Sequence, residues 1–421
     1  MTLDDSAVQS AARERAFSLP IDQVDPADPE LFSHDTVHHY FERLRRDDPV
    51  HWVQSPVYGG YWSVTKYQDI MAVDTNHKVF SSSWKDGGIV ISDQPEGYPR
   101  KSFITLNPPE HDAHRLAVSP IVAPNNLANL EPLIRERTRM VLDGLPRNET
   151  FNWVDRVSIE LTTMMLATLF DFPFEERKLL PYWSDVVASF PEIGDFSVVP
   201  SLEAKAEEIN KMATRFSQLW NERVNAPPRG DLISMLAHNP ATRNMDTHEF
   251  IGTIGLLIVG GNDTTRNSMS AGLLEMYKRP DQLAKLRANP ALVESMVPEI
   301  IRWQTPLAHF RRTAMEDAVI GGKQIKKGQK VVMWYLSGNR DETAIERPYE
   351  FLIDRARPRQ HLSFGFGVHR CVGNRLAEMQ LRILWEEILE RIPVIEIVGK
   401  PQRVPSLIVR GITDLPVRIP A

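Results

Sequence analysis

The sequence predicts a mainly α-helical protein with a minor β-sheet region, organised as a single domain over residues 1–421. Apolar residues recur at spacings of three and four through most of residues 108–310, which is the period of a helix with one buried face. Short β-branched and aromatic runs between glycines are fewer and lie mainly from about residue 45 to 105. The Pro-rich stretches are short and flanked by periodic segments, so they predict loops instead of linkers between domains.

The composition of the chain excludes several kinds of function. Hydrophobic residues make up 42% and charged residues 25%, which is ordinary globular composition. The net charge of −6, from 49 Lys+Arg and 55 Asp+Glu, provides no general attraction to nucleic acid or to an anionic membrane. The N-terminus lacks the apolar run of a signal peptide, and no window approaches the roughly 18 apolar residues of a membrane span. We therefore expect a cytoplasmic protein with no nucleic-acid partner and no membrane anchor.

Two alternating runs predict strands near the N-terminus. They read VHWV at 50–53 and GYWSVT at 60–65, and a turn at 58–60 separates them. Further strands are predicted within residues 318–336, where glycines separate β-branched runs, and near the C-terminus. Together these segments predict a small sheet beside a helical remainder.

A long helix is predicted to begin after Asp246 and to end before Pro280. Glu249 follows Asp246 at the spacing of a helix-capping motif. About 32 residues at about 1.5 Å each would span about 48 Å, enough to cross a whole domain. The first part reads FIGTIGLLIVGG and is apolar on every face, so we expect it to be buried on all sides.

The centre of this helix, GGNDTT at 260–265, is weak for a helix. Each glycine costs about 1 kcal/mol relative to alanine, and the threonines can bond back to carbonyls of the preceding turn. Gly260 and Gly261 are explained either by close helix packing, with Asp263 facing solvent, or by a local opening that admits a ligand. In the second case Asp263 and Thr264 could relay protons, because a carboxyl and a hydroxyl can both give and take them.

Two pairs of charged or polar residues share a helix face. Glu299 and Arg302 stand at i and i+3 among apolar neighbours, and Arg355 is a candidate third member of the pair. His111 and Arg115 stand at i and i+4 after two prolines and could together hold an anion. Spacing alone also allows an ordinary solvated helix face at both places.

The segment FGFGVHRCVG at 364–373 contains Cys371, the only cysteine of the chain, so an internal disulfide and C-x-x-C metal sites are excluded. Its three glycines permit a tight loop, and a strongly helical pattern follows. Cys371 thus lies at or just before a helix N-terminus, which favours a thiolate. The alternatives are a buried small hydrophobic residue and a nucleophile paired with His369.

This segment resembles the haem-binding loop of the cytochrome P450 superfamily, matching the pattern F-G-x-G-x-H/R-x-C-x-G at every position. GGNDT resembles the oxygen-activating stretch of the family's long central helix, and EIIR at 299–302 matches its E-x-x-R. Arg355 matches the arginine that completes that structural triad. The resemblance therefore implies the cytochrome P450 fold, in which the long central helix crosses the domain over a buried haem.

The resemblance also implies a role for each candidate site residue. Cys371 would be the axial thiolate ligand of the haem iron, which favours O–O cleavage. Asp263 and Thr264 would be the catalytic pair that delivers protons, while Glu299, Arg302 and Arg355 would have a structural role. The other implied cofactor-binding residues are His111, Arg115, Arg312 and His369 at the haem propionates, Gly260 and Gly261 where haem and dioxygen approach the helix, and Phe364 and Gly365 in the loop.

The implied activity is that of a monooxygenase, which inserts one oxygen atom of O2 into an unactivated C–H bond at a haem b. Because the chain ends at Ala421, we expect no reductase domain. Electrons would then come from NAD(P)H through a separate ferredoxin and ferredoxin reductase. Arg370, Arg375 and Arg382 could receive an acidic ferredoxin or form a solvated basic face. We expect the protein to be a monomer.

Within the family, GGNDTTRNSM and the segment from His361 to Leu389 look most like the bacterial branch that hydroxylates medium-chain alkanes and fatty acids at the terminal (omega) carbon. His309 is a candidate for anchoring a substrate carboxylate. The candidate pocket residues are nearly all aliphatic, as an alkyl slot requires, although ordinary core has the same composition. They are Ile89, Val90, Ile91, Leu256, Leu257, Val259, Leu307, Phe310, Leu407 and Ile408.

Three alternatives to this function remain open. A P450 of this kind could hydroxylate a terpenoid or steroid-like substrate instead. A peroxygenase on the same fold would lack the Asp/Thr pair, so Asp263 and Thr264 argue against it. A haem-binding sensor or carrier would need the loop around Cys371 but not the proton-delivering pair.

Overall fold

Helices dominate the architecture in the computed structural model, which describes residues 3–193, 195 and 197–421. In chain order the α-helices of this part are α1 Leu3–Ser18, α2 Pro29–Ser33, α3 Val37–Asp47, α4 Tyr67–Thr75, α5 Glu110–Val118, α6 Pro124–Asp143, α7 Glu160–Phe170, α8 Leu179–Ala188, α9 Leu202–Val224, α10 Leu232–His238, α11 Thr247–Tyr277, α12 Pro280–Ala288, α13 Val293–Gln304, α14 Tyr335–Gly338 and α15 Asn374–Arg391. None of the helices in the described ranges is long and apolar enough to cross a membrane.

The strands in the described part of the chain are short and form four small sheets. They are β1 Val50–Ser55, β2 Gly59–Val64, β3 Phe80–Ser81, β4 Thr150–Asn152, β5 Phe310–Ala314, β6 Ala318–Ile320, β7 Lys323–Ile325, β8 Lys330–Met333, β9 Glu396–Ile397, β10 Gln402–Arg403, β11 Ile412–Asp414 and β12 Pro416–Arg418. The largest sheet has the order β1-β2-β8-β5-β3, in which only β2 and β8 are parallel. The mainly helical fold with minor sheets that the sequence predicts is confirmed.

The N-terminal hairpin and the central strands belong to the same sheet. β1 and β2 pair antiparallel from Val50 opposite Val64 to Ser55 opposite Gly59, and Gly59 has φ +70° at the turn. β5 and β8, which lie more than 240 residues later in the chain, complete this sheet. The sequence predicted the hairpin and β8 but not β5, and the pairing of these strands depends on long-range packing.

The long helix α11 begins where the sequence predicts. The side chain of Asp246 caps it by accepting a hydrogen bond from the Glu249 amide at 2.9 Å, and the helix continues without interruption through residues 260–265. Its 31 residues span about 46 Å. The expectation that its first part is buried on all sides is wrong, because Leu256, Leu257 and Val259 face an internal cavity and are only partly buried.

Three helices meet tightly in the C-terminal half of α11. A Cβ on Gly272 would lie 2.9 Å from Ile300 of α13 and 3.3 Å from Trp385 of α15, so only glycine fits there. Leu273 and Leu274 are fully buried in the same apolar cluster. This packing fixes α11, α13 and the helix that follows the cysteine loop relative to one another.

Candidate active site

A large internal cavity of about 730 Å³ separates Cys371 from the N-terminal half of α11. Its wall is formed by the loop from Gly87 to Thr105, by parts of α5, α9 and α11, and by the segment from Ser363 to Ala377. Most of the wall is apolar, which suits a hydrophobic ligand with a few specific polar contacts.

The loop that carries Cys371 is held by its glycines. Gly365 and Gly367 have φ of +67° and +66°, and a Cβ on Gly367 would lie 2.6 Å from the Asp74 carbonyl of α4. Any other residue would be strained there, so the loop can lie close to α4 only because these positions are glycine. The Cys371 amide donates to the Phe364 carbonyl at 2.8 Å, which closes the loop.

The Cys371 thiol lines the cavity just before the N-terminus of α15. It is accessible from the cavity but surrounded by protein, and this burial raises the pKa of the thiol. The backbone amides of Gly373 and Asn374 and the cations Arg115 and Arg370 act in the opposite direction and favour the thiolate. A bound cation at the sulfur would complete that stabilisation, because metal ligation deprotonates a thiol.

Three of the predicted propionate-binding residues lie together beside this loop. The rings of His111 and His369 are in edge contact at 4.3 Å, and Arg115 lines the same part of the cavity. His111 pairs with Asp112 through Nδ1, and His369 shares a 2.7 Å hydrogen bond with Ser82 through Nε2. The other nitrogen of each ring, Nε2 of His111 and Nδ1 of His369, is buried without a partner.

Burial keeps both imidazoles neutral. It lowers the pKa of His111, and together with Arg312, His111 and Arg115 it lowers the pKa of His369 to about 2. An anionic group beside these rings and Arg115 would supply the missing hydrogen-bond partners. Its negative charge would also offset the positive charges of the neighbouring arginines, which lower the pKa of His369. The arrangement is therefore complementary to the carboxylates of a large ligand.

Arg312 is not among the residues that line the cavity. Its guanidinium donates to Asp74 at 2.7 Å and to the Arg311 carbonyl at 2.9 Å, and all three groups are buried. Asp74 also accepts hydrogen bonds from Tyr335 and from the Phe366 amide. In this arrangement Arg312 supports the cysteine loop through Asp74, so the predicted contact with a propionate would require it to leave that partner.

Thr264 and Asp263 face different sides of α11. Thr264 lines the cavity, and its hydroxyl donates to the Gly260 carbonyl at 3.0 Å. Asp263 is fully buried on the side of α8, where it accepts hydrogen bonds from Ser184 at 3.0 Å and Asn262 at 3.1 Å. The reading of Asp263 as a solvent-facing residue is wrong.

The environment of Asp263 brings the pKa of its carboxyl closer to neutral pH. Burial raises the pKa of its carboxyl to about 6, although Arg266, at 3.0 Å, opposes this shift. Arg266 also binds Asp185 at 2.6 Å, and Asp185 is partly exposed. The ion pairs of Arg266 thus connect Asp263 to Asp185 near the surface. Asp263 is also next in sequence to Thr264, which faces the cavity.

The two glycines of α11 serve different purposes. A Cβ on Gly260 would meet nothing within 4 Å, since this position opens into the cavity. A Cβ on Gly261 would lie 2.7 Å from Leu166 of α7, which is fully buried. The open-site interpretation therefore fits Gly260, and close helix packing accounts for Gly261.

Glu299, Arg302 and Arg355 form a buried ion cluster behind the cysteine loop. Arg302 donates to Glu299 at 2.7 and 2.8 Å, and Arg355 donates to it at 2.9 and 3.1 Å. The Leu352 amide adds a further bond at 2.8 Å. On the same helix, the Ile301 carbonyl accepts from Ser363 at 2.8 Å, so the cluster and the segment before the loop are joined through α13.

Eight of the ten predicted pocket residues line the cavity. They are Ile89, Val90, Leu256, Leu257, Val259, Leu307, Phe310 and Ile408. Ile91 and Leu407 do not, and their assignment is wrong: both are buried in an apolar cluster with Trp334. His309 is also misplaced as a carboxylate anchor, because it is buried against Trp334 and bonds to the Leu407 carbonyl, and burial lowers its pKa to about 4.

Several cavity residues at the end away from Cys371 were not predicted from the sequence. Arg100 lies in a loop, Phe190 follows α8, and Lys205 belongs to α9. All three residues line the cavity. No local spacing connects them, because they come together only in the folded protein. A charged residue in a stretch otherwise rich in Gly, Pro and aromatic residues, as at Arg100, was the one available signal.

The haem implied by the resemblance fits this cavity. A thiol on the wall, two buried imidazole nitrogens without partners and Arg115 are the donor set that a planar apolar group with an iron and two carboxylates requires. Within the described ranges no cluster of three or more His, Cys, Asp or Glu offers an alternative metal site.

Comparison with known proteins agrees with the geometry. The family model described as Cytochrome P450 matches residues 54–407. Linalool 8-monooxygenase from Pseudomonas putida is 34% identical over 94% of this chain and 98% of its own length. The structure of cytochrome P450-153 from Novosphingobium aromaticivorans is 42% identical with a TM-score of 0.87, covering 94% of this chain and 99% of that one.

The structure of CYP153D17 from Sphingomonas sp. PAMC 26605 is 43% identical with a TM-score of 0.89, covering 96% of this chain and all of that one. Membership of the matched family implies a haem, the use of dioxygen and electrons supplied by redox partners. The chain belongs to the cytochrome P450 family and is a monooxygenase of that family.

Proposed function

We propose that the protein hydroxylates medium-chain alkanes or fatty acids at the terminal carbon. The observation that carries this proposal is the mainly apolar wall of the cavity, which Cys371 and Thr264 both line. Burial of an alkyl chain in this cavity contributes about 25 cal/mol per Å² of apolar surface to the free energy of binding. An alkyl chain also carries no polar group that would be buried without a hydrogen-bond partner. The sequence resemblance to the terminal-hydroxylating bacterial branch gives additional support.

The residues that line the cavity have different roles in this proposed reaction. A bound haem b supplies the activation of dioxygen and the oxidation of a C–H bond. Cys371, supported by the amides of Gly373 and Asn374, provides the thiolate, and His111, His369 and Arg115 provide donors for the propionates. Their roles as ligand and propionate donors are part of the proposal.

The proton-delivering role of Thr264 and Asp263 is likewise proposed. Thr264 presents a hydroxyl to the cavity, while Asp263 can exchange its proton near neutral pH because burial raises its pKa to about 6. Apolar surroundings exclude bulk water, so these groups can control where protons enter.

A ferredoxin with an NAD(P)H-dependent reductase is the proposed electron source. Arg370 is exposed close to Cys371, which suits an acidic partner protein. Arg382 is less suitable, because it already binds Glu131 at 2.9 Å and Glu386 at 2.8 Å.

The deciding experiment has two parts on the haem-loaded protein. Reduced protein with carbon monoxide should give a red-shifted thiolate-type Soret band that Cys371→Ser abolishes; a retained band in the variant would refute the assignment of Cys371. Turnover of alkanes and fatty acids of increasing length with surrogate redox partners should then give terminal alcohols. Products oxidised only within the chain would refute terminal hydroxylation.

A second candidate substrate class is a terpenoid alcohol. The similarity to linalool 8-monooxygenase over 98% of that protein favours it. Linalool therefore belongs in the same substrate series as a competitor. Faster turnover of linalool than of every alkane and fatty acid would favour this candidate over the first.

A further inference from the structure

We propose that Asp35 is a positioning residue that sets the shape of the cavity from outside it. Asp35 lies between α2 and α3 and does not line the cavity, but its carboxylate binds both arms of a hairpin whose tip does. The inference rests on the proposed role of the cavity as the substrate site. It holds for either proposed substrate class, because it concerns the wall and not the substrate.

The hairpin is formed by β10 and β11, and its tip belongs to the wall of the cavity. The two strands pair antiparallel, and residues 404–411 connect them. Within this connection the Ser406 hydroxyl accepts hydrogen bonds from the amides of Ile408 and Val409, both at 3.3 Å. Ile408 and Val409 line the cavity, so the position of the hairpin decides where their side chains lie.

The tip packs on the extended segment that follows α13. Val409 forms an isolated β-bridge with Leu307. The Ala308 amide donates to the Ile408 carbonyl at 2.9 Å. Pro306 and Leu307 line the cavity as well. The two segments together form one part of the wall, and a shift of the hairpin would change the width of the cavity there.

The carboxylate of Asp35 holds one arm of this hairpin with each oxygen. Oδ1 accepts a 2.6 Å hydrogen bond from Arg410, and Oδ2 lies 3.2 Å from Nη2 of Arg403. Burial favours the neutral carboxyl, but the two guanidinium groups hold the pKa of Asp35 well below its ordinary value. Asp35 is therefore an anion at neutral pH, and ionic hydrogen bonds of this kind are stronger than neutral ones.

Arg410 connects Asp35 to both segments of the wall. Its guanidinium also donates to the Gln304 carbonyl at the end of α13, and the Gln304 side chain donates back to the Arg410 carbonyl at 2.8 Å. The Arg410 amide donates to the Pro306 carbonyl at 2.8 Å. Since Arg410 is buried, one fixed side chain links the carboxylate of Asp35 to the end of α13 and to the hairpin.

The backbone at this position favours aspartate. Asp35 has φ +55°, a left-handed conformation that Asp and Asn adopt more readily than other residues with a side chain. Asparagine would suit the same backbone, but it carries no charge and offers one acceptor oxygen in place of two. Asp35→Asn therefore releases one arm of the hairpin without changing the size of the side chain.

The test measures the binding of two apolar ligands of different shape. Dissociation constants of dodecane and linalool are measured from the spin-state shift of the Soret band in the haem-loaded full-length protein. We expect Asp35→Asn to bind the ligand that the wild type prefers about four to fifteen times more weakly, which is the affinity that one or two buried methylene groups contribute. The ratio of the two dissociation constants should move toward one, because a looser wall discriminates less between shapes.

Product analysis of the same variant gives a second measurement. The share of hydroxylated product at the position that the wild type prefers should fall, because the ligand is held in more than one orientation. Arg403→Gln releases only the arm that begins at β10 and should change binding and products in the same direction. Arg403→Lys keeps the charge and should recover part of the wild-type affinity. If Asp35→Asn does not take up haem, Arg403→Gln decides the test.

Glu396→Gln is the matched control. Glu396 binds Arg418 at 2.7 Å, its side chain is 40% exposed against 34% for Asp35, and neither residue of this pair lines the cavity. Both dissociation constants should stay at their wild-type values in this variant. Wild-type constants in Asp35→Asn and in Arg403→Gln would overturn the proposal, and so would an equal change in Glu396→Gln.

Failure of this inference can be distinguished from failure of the proposed function. The ratio of the dissociation constants reports on the wall, whereas the position of the hydroxyl group in the wild-type products reports on terminal oxidation. A wild-type enzyme that oxidises only inner carbons, but loses its ligand preference in Asp35→Asn, would refute terminal hydroxylation and leave the role of Asp35 intact.

Discussion

The hydroxyl of Ser184 on α8 donates a hydrogen bond of 3.0 Å to the carboxylate of Asp263 on α11. This bond turns Asp263 away from the cavity that its neighbour Thr264 lines. Beyond Asp263, the ion pairs of Arg266 continue to the partly exposed Asp185. The acid and the hydroxyl are thus adjacent in sequence, but the acid is buried against α8 while the hydroxyl lies on the cavity side of α11.

Replacing Thr264 with alanine removes the hydroxyl that faces the cavity. We expect the variant to consume reductant at a similar rate while forming several times less hydroxylated product. The reason is that the hydroxyl proposed to direct proton delivery is absent. The measurement is the ratio of product formed to NAD(P)H consumed. Thr253→Ala on the same helix, where the threonine is buried outside the cavity wall, serves as the control. An unchanged ratio for Thr264→Ala would refute its role.

Replacing Asp263 with asparagine should stabilise the protein in a pH-dependent manner. Burial raises the pKa of the native carboxyl from 3.8 to about 6, so the folded state binds more protons than the unfolded state between these values. Wild-type stability therefore falls as pH rises through this window. The variant lacks this loss and should be more stable by about 2 kcal/mol above pH 6.

Thermal melts of the two proteins at pH 5 and pH 8 check this expectation. The difference in melting temperature should be larger at pH 8, where the wild-type carboxyl is charged. A difference that does not depend on pH would show that Asp263 titrates normally in the folded protein. Product formation should fall in the same variant, because an amide cannot deliver the proton.

Replacing Glu299 with glutamine should be strongly destabilising. The carboxylate is fully buried between Arg302 and Arg355, and these arginines lower its pKa although burial opposes the shift. Loss of one partner leaves buried charge uncompensated, which costs about 3–5 kcal/mol. Glu350→Gln is the matched control, because its ion pair with Arg347 is exposed and should contribute little to stability.

Urea unfolding followed by far-UV circular dichroism, with haem absorbance recorded in parallel, measures both effects. The pH dependence has a definite sign. Because the native pKa of Glu299 is lowered, its stabilisation is present above the ordinary value of 4.5 and is lost as pH falls through the lowered native value. Equal midpoints for Glu299→Gln and Glu350→Gln would contradict the structural role of the cluster.

The neighbouring glycines of α11 should respond in opposite ways to alanine. Gly261→Ala places a Cβ 2.7 Å from the buried Leu166, and overpacking of this kind costs about 1–3 kcal/mol. Gly260→Ala meets no atom and should stabilise the helix by up to about 1 kcal/mol, while it narrows the cavity and weakens substrate binding. Thermal melts measure the stability of both variants, and substrate titrations measure their binding. Equal changes in stability would contradict the close packing of Gly261 on Leu166.

Local patterns predicted much of the fold and of the site. The cap at Asp246, the tight loop at Gly365 and Gly367 and the i, i+3 spacing of Glu299 and Arg302 each depend on residues close in sequence. Such features follow from backbone geometry and need no knowledge of distant packing.

The errors arose in extended segments and across long distances. Successive residues of an extended chain point to opposite sides, so Phe310 and Ile408 line the cavity while His309 and Leu407 are buried behind it. The sequence shows that neighbouring residues in these segments point to opposite sides, but it does not show which side faces the cavity. Arg100 and Lys205 are 105 positions apart, and only tertiary packing on Phe190 brings them together.

The uninterrupted course of α11 has a consequence for regioselectivity. Because α11 is one uninterrupted helix from Gly252 to Thr264, the distance between the outer end of the cavity and the end that Cys371 lines is constant. For a linear substrate that fills the cavity, the number of carbons then decides which carbon lies near Cys371, so lengthening the substrate by a methylene should change the position that is oxidised.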